Sequence, residues 1–215
     1  MISKLHYISQ GKTPQEHLEN IEKACLHGAD WIQLRLKNLD EESILSTAKK
    51  AREITSAHQV KLIINDYYKV AKQVEADGVH LGKTDTCPAM ARKELLDWQI
   101  IGGTANTLED CKTLVEKQVD YIGLGPFRFT TTKANLSPIL GLDGYTQILD
   151  NLNSNIPVIA IGGITLTDVA DILKTKVYGV AVSGEISSDF NTISAFQEQL
   201  KTSKLANLLK QNQHV

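Results

Sequence analysis

Residues 61–85, KLIINDYYKVAKQVEADGVHLGKTD, contain the repeat on which the fold turns. Leu62-Ile63-Ile64 is a continuous apolar, β-branched run, as expected of a strand covered on both faces of a parallel sheet. Gly78-Val79-His80-Leu81 is a second run of the same kind, and the segment between them reads as a helical connection. Each run is followed at once by polar residues, Asn65-Asp66 after the first and Gly82-Lys83-Thr84-Asp85 after the second.

The same unit repeats along the chain. Candidate strands fall at Leu5–Ile8, 31–35, 61–64, Gly78–Leu81, 100–102, Tyr121–Leu124, Val158–Ile161 and Gly179–Val182. Helical periodicity fills residues 14–28, where Leu18, Ile21, Ala24 and Cys25 make one stripe behind Pro14 in the first turn. It returns at 40–56, with Asp40 as cap, and at 107–118, 142–152, 166–174 and 192–209. Eight β/α repeats in 215 residues predict an α/β protein of the (β/α)8, or TIM, barrel type. An open doubly wound sheet would be expected to show GxGxxG after its first strand, and Ser9-Gln10-Gly11 offers none. No Pro/Ser-rich linker divides the chain, so residues 1–215 read as one domain, with 201–215 a polar helix end and tail. Residues 126–141 form the longest stretch without periodicity, which suits a lid or binding loop.

Composition narrows the class further. With 42% hydrophobic and 22% charged residues the chain can build a full core. A net charge of −2 argues against nucleic acid as a partner. No apolar run approaches the roughly 18 residues of a membrane span, and the N-terminal residues lack a signal-peptide pattern. Cys25, Cys87 and Cys111 are odd in number and far apart, which favours neither a disulfide framework nor a zinc site. A cytoplasmic protein is the expectation.

In such a barrel, function sits at the C-terminal ends of the strands. Gln33, Arg35 and Lys37 alternate, so an extended backbone points all three to one face. They read either as a solvated strand end or as a clamp for an anion such as a diphosphate, with Arg35 a planar fork and Lys37 a point charge. Asp66 and Asp85 lie beyond adjacent strands and read either as helix N-caps or as a carboxylate pair for Mg²⁺. Gly162-Gly163 and Ser183-Gly184 follow strands seven and eight, where these barrels often bind phosphate on backbone N–H groups. Thr130, Thr131, Thr132 and Lys133 make a hydroxyl-rich, cationic loop. His80, flanked by Val79 and Leu81, reads as an interior hydrogen-bonding residue rather than a base.

The motifs QLRLK (33–37), IIND (63–66), DGVHLGKTD (77–85), GPFRFTTTK (125–133), AIGGI (160–164) and GVAVSGEI (179–186) together resemble the thiamine phosphate synthase family over nearly the whole chain. The resemblance implies a (β/α)8 barrel and a transferase reaction. In it, 4-amino-2-methyl-5-hydroxymethylpyrimidine diphosphate is coupled to a phosphorylated hydroxyethylthiazole, and pyrophosphate leaves. It implies that Gln33 and Asn65 bind the aminopyrimidine. Arg35, Lys37 and Lys133 would hold the diphosphate, with a hydroxyl from Thr104, and Asp66 and Asp85 would ligate Mg²⁺. Thr130 and Thr132 would contact the thiazole phosphate, whose phosphate would rest on Gly163, Ser183 and Gly184. The implied chemistry is dissociative, so charge neutralisation matters and a protein nucleophile does not. The expected partners are these two substrates, with a homo-oligomer allowed and neither nucleic acid nor membrane involved.

Three positions depart from the family pattern. Thr104 stands where serine is commoner, Ser183-Gly184 replaces Val-Ser, and Glu185 replaces a small residue. Glu185 beside a phosphate is expected to turn to solvent or to pair with a cation. A thiazole tautomerase, a sugar-phosphate isomerase and a non-catalytic precursor sensor are the rival readings. None of them accounts as well for two aspartates facing the cations of QLRLK.

Overall fold

The computed structural model describes residues 1–129 and 138–211, with side chains through residue 201. Eight parallel strands close into a barrel in sequence order. They are β1 (Leu5–Ile8), β2 (Trp31–Leu34), β3 (Lys61–Asn65), β4 (Gly78–Leu81), β5 (Ile100–Ala105), β6 (Tyr121–Leu124), β7 (Val158–Ile161) and β8 (Gly179–Val182). Pairing of Leu5 with Val180 and of Tyr7 with Val182 seals β1 against β8. The predicted barrel is therefore the observed fold.

The helices form where periodicity and caps coincide. Helix α1 (Pro14–Leu26) starts behind Thr13, whose side chain accepts the Glu16 N–H, and buries Leu18, Ile21, Ala24 and Cys25. Helix α2 (Glu41–Ala57) starts at Asp40, which accepts the Ser43 N–H at 2.8 Å. Three short helices carry no periodic stripe of their own: α3 (Tyr68–Gln73), within the segment read as a helical connection, α4 (Pro88–Glu94) and α8 (Gly184–Ser188). Two turns or less of helix leave too few positions for a 3.6-residue pattern to register. Helices α5 (Leu108–Glu116), α6 (Gly141–Asn151) and α7 (Val169–Lys174) occupy the predicted segments, α7 behind a 3-10 turn at Leu166–Asp168. The last helix, α9, runs Thr192–Gln211, so most of the segment expected as helix end and tail is helical.

Two packed layers result. Ile32, Leu34, Leu62, Ile64, Val79 and Ile122 face outward, in one core with the helices. Trp31, Ile63, Tyr121, Ile159 and Ala181 face inward and fill the barrel's lower half. Because side chains alternate along each strand, the next inward position up from this apolar floor is the site.

Candidate active site

Above that floor the barrel opens into a cavity of about 1030 Å³, at the upper limit for small-molecule sites. Gln33, Arg35 and Lys37 follow Trp31 at two-residue steps and all line it. Gln33 is buried, and its Nε2 donates to Asn65 Oδ1 at 2.8 Å across the β2–β3 pair. Asn65 Nδ2 is buried with no hydrogen-bond partner among the described residues, leaving a donor for a ligand acceptor. Arg35 is half-buried; desolvation lowers its pKa and the Asp66 charge opposes that.

Asp66 and Asp85 converge at the same rim. Asp66 adopts a left-handed backbone, φ +67°, while its N–H donates to His80 O at 2.9 Å. The conformation ends β3 and turns the carboxylate toward Lys37 Nζ, with which it forms an ion pair. Neither aspartate caps a helix. The N-cap residues of α3 and α4 are Tyr67 and Cys87, and Asp85 instead accepts the Gly82 N–H at 2.6 Å within its own loop. Burial pushes Asp66 up, but hydrogen bonds from Asp85 and Lys37 outweigh it and hold the carboxyl below its usual range. Burial and the Asp66 bond raise Asp85. The shifts run in opposite directions, as expected of two carboxylates brought close at one rim. A hard, doubly charged ion would offset their mutual repulsion.

On the opposite side, Gly162 (φ +95°) and Gly163 (φ +70°) make a turn that a side chain could not enter. A Cβ on Gly162 would lie 2.7 Å from Pro126 Cβ, and one on Gly163 would lie 2.5 Å from Arg128 Cγ. The loop after β6 is pinned there by Phe127 N–H to Ile161 O (2.8 Å) and Arg128 N–H to Gly162 O (3.1 Å). Ser183 Oγ donates to Ile8 O at 2.9 Å, so its hydroxyl proton is committed and the donors left at this turn are backbone N–H groups.

Glu185, half-buried, lines the cavity and meets a backbone donor: it accepts the Leu166 N–H at 2.9 Å. The first N–H groups of a helical turn lack internal partners, and a carboxylate is a good acceptor for one of them.

His80 makes interior hydrogen bonds, to Tyr121 Oη at 3.0 Å and Thr104 Oγ1 at 2.9 Å. Thr104 lines the cavity with it, as do Tyr121 and His6, which were not singled out from the sequence. Their signal was the period-two register, read for β2 but not carried round the barrel. Thr130, Thr132 and Lys133 lie outside the described residues. Burial raises the Cys25 thiol to about 11 and the Cys111 thiol to about 12, as befits packing residues.

Comparison with known proteins identifies the family. The thiamine-phosphate synthase of Flavobacterium psychrophilum is 47% identical over 194 residues, covering 89% of this chain and 94% of that protein. That of Bacteroides fragilis is 46% identical over 185 residues, covering 85% and 91%. Among solved structures, a thiamine phosphate pyrophosphorylase from Pyrococcus furiosus superposes with a TM-score of 0.77 at 27% identity, covering 93% of this chain and 96% of its own. The model of the thiamine monophosphate synthase family matches residues 5–186, all eight strands included, and the chain belongs to that family.

Proposed function

We propose that this single-domain barrel couples 4-amino-2-methyl-5-hydroxymethylpyrimidine diphosphate to a hydroxyethylthiazole phosphate, or its 2-carboxylate, giving thiamine phosphate and pyrophosphate, with CO2 released as well from the carboxylate. The observation that carries the reading is the convergence of Arg35, Lys37, Asp66 and Asp85 on one rim above the Gln33–Asn65 amide pair. Family membership supports a transferase of this class. A cytoplasmic enzyme fits the sequence, and among the described residues no helix is long and apolar enough to cross a membrane.

The amide pair would orient the aminopyrimidine, with the unpartnered Asn65 Nδ2 offered to a ring nitrogen and Gln33 fixed behind it. Arg35 and Lys37 would grip the diphosphate, joined by Lys133 from the loop. Asp66 and Asp85 suit Mg²⁺, which is commonly held by one or two carboxylates and completes its shell with water and substrate phosphate. When bound, Mg²⁺ would offset the charge that builds on the departing pyrophosphate. The Gly163 turn and the N–H groups at Ser183-Gly184 would anchor the thiazole phosphate, and Thr130 and Thr132 would contact that substrate. That anchor holds the thiazole nitrogen in line with the pyrimidine methylene carbon, so capture follows as the carbon–oxygen bond breaks. No side chain need act as a nucleophile.

Substrate omission tests the proposal. Thiamine phosphate, followed by mass, should form only when both substrates are present. Accumulation of an isomerised thiazole without coupling would overturn it.

A further inference from the structure

The cavity wall contains a hydrogen-bonded chain that the steps above leave unused. Tyr121 on β6, His80 on β4 and Thr104 on β5 are neighbours because β4, β5 and β6 pair in register, His80 opposite Gly102 and Gly102 opposite Tyr121. Gly102 and Gly123 make the room. A Cβ on Gly102 would fall 2.1 Å from Tyr121 Cζ, and one on Gly123 would fall 3.0 Å from His80 Cε1. Below them the His6 ring meets Tyr121 edge-on at 5.1 Å and stacks on Trp31 at 4.4 Å, which holds the phenol in place.

The direction of each hydrogen bond follows from Tyr121. Its hydroxyl is buried and carries one proton, and among the described residues the acceptor in reach is His80 Nδ1, at 3.0 Å. A buried donor left without an acceptor is costly, so Tyr121 donates and Nδ1 accepts. The ring is then neutral with its proton on Nε2, which faces Thr104 Oγ1 at 2.9 Å and donates to it. Thr104 keeps its own hydroxyl proton for the cavity. With the other tautomer, Thr104 would donate to Nε2 and turn lone pairs toward any anion.

We propose that Tyr121 and His80 are positioning residues that fix the Thr104 hydroxyl as a hydrogen-bond donor to the leaving diphosphate. The substrate named here rests on the reaction proposed above; the tautomer does not. A donor set before substrate arrives needs no reorientation as charge develops on the leaving group, so its contribution falls on kcat.

Two measurements on the full chain decide it. Long-range proton–nitrogen correlation spectra of ¹⁵N-histidine-labelled protein, without substrates, should show His80 protonated at Nε2 and bare at Nδ1. Tyr121→Phe, which keeps the ring, should shift His80 toward the Nδ1-protonated form. In turnover, Tyr121→Phe should lower kcat about 10-fold with little change in the pyrimidine diphosphate KM. Thr104→Val should lower it about 100-fold, Thr104→Ser should retain most activity, and Tyr121→Phe should add little to Thr104→Val. An Nδ1-protonated or doubly protonated His80 in the unaltered protein would overturn the proposal, as would additive losses in the double variant. The spectra need no turnover, so failure of the relay and failure of the assigned reaction are separable.

Discussion

Arg35 and Lys37 are reached by counting in twos from Trp31, and this arithmetic made the cationic face legible before any coordinates. The aspartates were harder, because one carboxylate after a strand looks the same as a helix cap or as a ligand. The structure removes the cap reading, since Tyr67 and Cys87 precede the helices and Asp85 accepts the Gly82 N–H within its loop. Asp66→Ala should therefore raise the Mg²⁺ concentration needed for half-maximal rate by an order of magnitude or more; an unchanged metal requirement would remove it from the ligand set. Lys133→Ala should lower kcat about 100-fold while the far-ultraviolet spectrum stays that of a folded barrel, and near-normal turnover would take Lys133 out of the mechanism. Glu185 shows where residue-level reading stopped. Its partner is a backbone N–H of the 3-10 turn after β7, and no side-chain pattern announces a backbone donor.

At the level of elements, all eight strands were visible because their runs are apolar and β-branched. The apolar run of β5 reads only as 100–102, because two glycines carry no side chain to mark a strand. In the structure both glycines lie within Ile100–Ala105, Gly102 against the Tyr121 ring and Gly103 against Leu114. Gly102→Ala should then lower the melting temperature by the equivalent of about 1–3 kcal/mol of overpacking and weaken turnover through the displaced ring. A melting curve unchanged from the parent would show that the β5–β6 contact is looser than the structure places it. The bounds of the short helices α3, α4 and α8 are illegible for a different reason: tertiary contact holds them, and no amphipathic stripe is long enough to mark them.

Across the whole molecule, the inward register grades from an apolar floor to a charged mouth, and acid stability follows from what the floor buries. His6 is enclosed, and desolvation lowers its pKa to about 3 from the ordinary 6.5. The unfolded chain therefore takes up a proton near pH 6.5 that the folded protein refuses until about pH 3. Stability from this group is complete above pH 6.5 and is lost across that window as pH falls, by up to about 1.4 kcal/mol per pH unit. His17, also lowered by burial, acts in the same sense. His6→Gln should flatten the fall in melting temperature between pH 6.5 and pH 4; an identical slope would mean that the imidazole is already protonated in the fold. The charged mouth answers to a more direct test. Initial rates of thiamine phosphate and pyrophosphate formation would be followed together, with Mg²⁺, with excess chelator, and after Mg²⁺ is restored. The predicted result is one-to-one release that stops with chelator and returns with metal; product formed at the same rate without metal, or no product from folded protein with both substrates, would contradict a rim built to stabilise departing pyrophosphate.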